Sequence, residues 1–143
     1  MPISLHWHTE PLLLLTVIGA GWAYLMALGP LRARISGVDT PFPRAKAALF
    51  LAGLAVAYLA VGSPLDQLGE DYLFSAHMVQ HMLLIYAAPP LLIAGLPGWL
   101  ADWLLRPPWA QRLWRVFTHP VFAGALLTLC YTAWHYPALY ELG

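Results

Sequence analysis

His77 and His81 stand four residues apart in the stretch SAHMVQHMLL, residues 75 to 84, and Met78 and Met82 repeat that spacing one position later. On a helix, positions i and i+4 share a face and lie about 6 Å apart along the axis. Imidazole nitrogen is a ligand for copper, zinc, iron and nickel, whereas thioether sulfur selects soft Cu(I). One helix bearing both types offers two nitrogen donors with sulfur beside them. The plainer reading is that the imidazoles hydrogen-bond across helices and the methionines fill irregular gaps in the packing. A third ligand would have to come from elsewhere, with His135, His8 and His6 as the candidates.

The elements that position these residues are membrane helices. The chain has 143 residues, of which 60% are hydrophobic and 10% charged. Soluble domains carry about 25% charged residues, so this composition is that of an integral membrane protein. The single cysteine, Cys130, excludes an intrachain disulfide and any cysteine-based zinc motif. Gly-rich phosphate loops and nucleic-acid motifs are absent from the sequence. No Lys or Arg precedes the first apolar run, which is therefore expected to be a retained helix rather than a signal peptide.

A spanning helix needs about 17 to 25 mostly apolar residues. Four segments meet or approach that length: residues 11–28, 45–61, 73–95 and 120–140. The expected fold is all-α, a single polytopic membrane domain of about four transmembrane helices. Pro89 and Pro90 fall inside the third segment and should kink or break it, because each removes a backbone donor.

All seven Lys and Arg lie in two connections: Arg32, Arg34, Arg44 and Lys46 between helices one and two, and Arg106, Arg112 and Arg115 between helices three and four. Short connections rich in Lys and Arg stay cytoplasmic, which puts both termini outside. The connection holding Asp66, Glu70 and Asp71 carries no base and falls outside, as a solvated loop whose acids would attract cations. In the second basic connection Trp99 and Trp103 stand one helical turn apart, and Trp109 and Trp114 follow among arginines. That pattern places the segment along the inner membrane interface.

On this topology five of the six histidines lie at or beyond the outer half of the membrane: His6, His8, His77, His81 and His135. Only His119, at the start of helix four, falls on the inner side. Ionisable side chains inside a bilayer are expensive, so their default reading is functional. Cys130 reads as a small packing residue.

These residues also carry a resemblance. The run SPLDQLGEDYLFSAHMVQHMLLIYAAPPLLIAGLPGWL resembles the core signature of the CtaG-type cytochrome c oxidase assembly factors, and HPVFAGALLTLCYTAWHYPALYEL resembles the following helix of that family. Together they run from about Ser63 to Leu142. The resemblance implies a bacterial plasma-membrane protein that assists assembly of heme–copper oxidases through copper delivery, with oxidase subunits and the lipid bilayer as its partners. It places His77, His81 and His135 at the family's characteristic histidines and Asp66 at the Asp of the SPLD motif. Family members are longer, so the chain is expected to correspond to their N-terminal portion, either as a version truncated after helix four or as a short natural variant.

The leading expectation is thus a non-catalytic membrane assembly factor that binds copper through His77, His81, His135, Met78 and His8. Neutral imidazole is the ligating form, so such a site weakens in acid. Two rivals use the same residues differently. A heme-b protein would ligate iron with His135 and one of the helix-three histidines. A metal-free scaffold would bind oxidase subunits and need none of them. An enzyme is the weakest reading, because no nucleophile–base pair or paired carboxylates occur in the apolar region. Small residues in ALFLAGLAVAYLAVG would let the chain pair with itself or with a client.

Overall fold

The structure is a computed structural model that describes Trp7 and residues 10–36 and 41–134. All regular structure among these residues is helical. The order is α1 (Pro11–Leu28), α2 (Arg32–Ser36), α3 (Arg44–Gly62), α4 (Pro64–Asp71), α5 (Phe74–Met82), a π-helical turn (Leu83–Ala87), α6 (Ala88–Gly95), α7 (Gly98–Leu104), α8 (Pro108–Phe117) and α9 (Pro120–Trp134). Two compact units emerge, one through Ala101 and one from Asp102.

Three helices are long and apolar enough to cross a membrane: Pro11–Leu28, Arg44–Gly62 and the continuous run Phe74–Gly95. A fourth crossing is reached if the bent pair Pro108–Phe117 and Pro120–Ala133 counts as one span. These lie within a residue or two of the first three expected segments; the fourth is described to Trp134 only. Leu12, Leu15, Ile18 and Trp22 form an exposed apolar stripe along α1. In water such a stripe would be a liability, whereas in lipid it is the expected surface.

Pro89 and Pro90 do not break the third span. Lacking N–H groups, they cannot bond to carbonyls one turn back. The chain widens before them into the π-helical turn, in which the Ala88 N–H reaches the carbonyl of Leu83, five residues earlier. Both prolines then fall in the first turn of α6, where N–H groups need no helical partner. The sequence signalled the interruption, and a register shift absorbs it.

In the first unit α3 packs closely on α6. A Cβ at Gly95 would lie 2.6 Å from the backbone nitrogen of Phe50, so only glycine permits that approach. Tyr24 stacks on Phe50 with ring centroids 3.8 Å apart, and its buried hydroxyl donates to the Gly95 carbonyl at 2.7 Å. Lys46 Nζ donates to the neighbouring Ala94 carbonyl at 2.7 Å. The orphan carbonyls at the end of α6 are thereby capped from α1 and α3. Tyr24, Leu28, Ile35, Ala47 and Leu100 form the small buried core beside them.

Candidate metal centre

His77 and His81 lie in the first two turns of α5, at the opposite end of the Phe74–Gly95 helix from the Lys46 and Tyr24 caps. With a rise of about 1.5 Å per residue, His81 and Ala94 are separated by about 20 Å along that helix. The connection before α5 is not the open loop expected from its acids. It folds into α4, whose start is set by Ser63. That serine is 8% exposed; its Oγ accepts the Leu65 N–H at 3.2 Å and donates to the Leu59 carbonyl at 2.5 Å. Pro64 follows at the first helical position and Asp66 in the first turn, both favourable there.

Helix α4 then turns back against α5 at two points. The Gln80 side-chain amide donates to the Asp66 carboxylate, with both groups half-buried. A Cβ on Gly69 would lie 3.0 Å from both Cα and N of His77. Glycine here lets the two backbones approach closely, and a Cβ would force them a few tenths of an ångström apart. Asp66 is thus a structural tie as well as an acid near the histidines, and neither Gln80 nor Gly69 stood out in the sequence. The i+3 relation of Gln80 to His77 was a usable signal, since it puts the amide on a neighbouring part of the same face. The Gly69 contact depends on how the chain turns at Tyr72 and Leu73 and had no local signal.

The two imidazoles converge. Their Nε2 atoms are 2.9 Å apart, and the rings meet edge to face with centroids 4.4 Å apart at 89°. Phe74 stacks beside His77 at 6.4 Å. A hydrogen bond between two Nε2 atoms requires one ring to carry its proton there and the other to present a lone pair. Replacing that shared proton with a metal needs little movement. With metal–nitrogen bonds of about 2.0–2.1 Å, two nitrogens at a tetrahedral centre are about 3.4 Å apart.

Both histidines are half-buried; Met78 is half-buried and Met82 is 58% exposed. The expected ligands His135 and His8, and His6 with them, lie outside the described residues. Among the described residues no third His, Cys, Asp or Glu joins His77 and His81 in a metal-binding group. Cys130 is exposed on α9.

No curated protein and no solved structure matches the chain. The profile of one protein family, described as cytochrome c oxidase caa3 assembly factor (Caa3_CtaG), matches residues 22–143, a longer stretch than the signature segments alone. With the match running from Trp22 within α1 to Gly143, most of the chain, the chain belongs to the cytochrome c oxidase caa3 assembly factor family.

Proposed function

We propose that this chain is a non-catalytic, copper-handling membrane factor that helps metallate a heme–copper cytochrome c oxidase in the bacterial plasma membrane. Family membership supports the assembly role and the oxidase subunits as partners. The copper role is supported by one observation above all, the convergence of His77 Nε2 and His81 Nε2 at 2.9 Å on one helix face. Two nitrogens so close suit one small ion bridged between them.

Copper is the cargo in this reading. The pair holds it through two imidazoles, with Met78 alongside as a soft donor and His135 or His8 completing the set. An assembly factor must release what it binds, and exchangeable imidazole and thioether donors serve that better than a closed thiolate cage. The acid-bearing helix α4 beside the pair favours cation approach. With the basic connections cytoplasmic, the pair lies towards the outer face.

The test is made in cells that depend on this chain for oxidase maturation. The reading expects His77→Ala/His81→Ala cells to accumulate oxidase subunits with reduced copper content. Oxidase with full copper content in those cells would favour the metal-free scaffold instead.

A further inference from the structure

We infer that helix α8 is an in-plane membrane-surface helix that gathers anionic phospholipid headgroups through Arg112 and Arg115. The inference concerns the second unit and stands apart from the histidine pair. At 100° per residue, Trp109, Ala110, Leu113, Trp114 and Phe117 fall within one apolar arc of α8, and Gln111, Arg112 and Arg115 occupy the opposite side. Within this unit the apolar arc, with Leu104 and Leu105, lines a shallow recess of about 360 Å³. Trp109, Leu113, Trp114 and Phe117 are each at least half exposed. A face this apolar and this open needs an apolar solvent against it.

Two observations identify that solvent as the lipid interface. First, α8 and the following apolar helix are bent by 72°. If α9 runs along the membrane normal, α8 lies about 18° from the membrane plane, the attitude of an interfacial helix. Second, the charge is of one sign. Arg106, Arg112 and Arg115 are present and no Asp or Glu occurs from residue 103 to 140. The Nε of Arg115 reaches only its own helix, at the Gln111 carbonyl 3.4 Å away. Indole rings at headgroup depth and guanidinium groups against phosphate complete a surface for phosphatidylglycerol-type lipids rather than for a neutral bilayer.

The experiment reconstitutes the full chain in phosphatidylcholine bilayers holding spin-labelled phosphatidylglycerol or spin-labelled phosphatidylcholine, and measures their relative association with the protein. Wild type should prefer the anionic lipid, and Arg112→Gln/Arg115→Gln should lower that preference by about twofold or more, with Arg112→Lys/Arg115→Lys retaining it. An unchanged preference in the glutamine variant overturns the inference. A second measurement places the helix. In a Cys130→Ser background, a nitroxide on Leu113→Cys should collide with oxygen more than with a water-soluble nickel complex, and one on Gln111→Cys should do the reverse. Nickel access at position 113 would put that face in water, and shielding from both reagents would mean that a second copy or another protein covers it; either result overturns the inference.

Discussion

The Nε2 atoms of His77 and His81 face each other at 2.9 Å, so the two rings form one hydrogen-bonded unit. Removing either leaves a single nitrogen where two converged. His77→Ala and His81→Ala should therefore each abolish most of the copper affinity, and the double variant should be little worse than either. Chelator competition on the three variants measures this. Additive losses would mean that the two rings act independently.

The same contact fixes tautomers. In the metal-free pair one Nε2 carries a proton and the other does not. Copper bound to both would force each proton to Nδ1. Nitrogen-15 NMR on the protein before and after loading with diamagnetic Cu(I) should show one Nε2–H tautomer disappear. Protons and copper compete for the same lone pairs, so affinity should decline on acidification. Affinity unaffected by acidification would argue against imidazole ligation.

Asp66 has two separable features, its charge and its bond from Gln80. Asp66→Asn keeps an acceptor oxygen and loses the charge, whereas Asp66→Ala loses both. If the tie to α5 dominates stability, Asn should stay near wild type and Ala should be less stable by about 1–3 kcal/mol, read from thermal unfolding in detergent. Equal losses in the two variants would point to the charge.

Gly69→Ala should be disruptive for so small a change. The added methyl would meet the His77 backbone at 3.0 Å, and backbone atoms cannot rotate away as a flexible side chain can. Helices α4 and α5 must move apart by a few tenths of an ångström, at a loss of about 1–3 kcal/mol, and copper affinity should fall because the shift moves His77. As a control at the far end of the same unit, Tyr24→Phe removes the hydroxyl that bonds the Gly95 carbonyl. It should lower stability by about 1 kcal/mol and leave copper affinity unchanged.

What the sequence made legible follows from range. Apolar run length and turn residues gave the first three spans nearly to the residue, because lipid leaves a helix little choice of length. The i, i+4 spacing placed His77 and His81 on one face, because that relation is internal to α5. Long-range geometry was not legible. The helix over Pro64–Asp71 has too few apolar residues to announce itself beside the spans, and its acids read as a loop. The π-helical turn before Pro89 answered a proline signal that could equally have meant a break. The Gln80–Asp66 bond and the Gly69 approach need the fold of residues 63–77, which no periodicity encodes.

The proposed function stands on copper being held by His77 and His81 together. Its most direct test is metal content by mass spectrometry on the detergent-purified protein after copper loading, wild type beside His77→Ala/His81→Ala. Wild type should hold stoichiometric copper and the double variant should lose it. Equal copper in both proteins, or none in wild type, would contradict it.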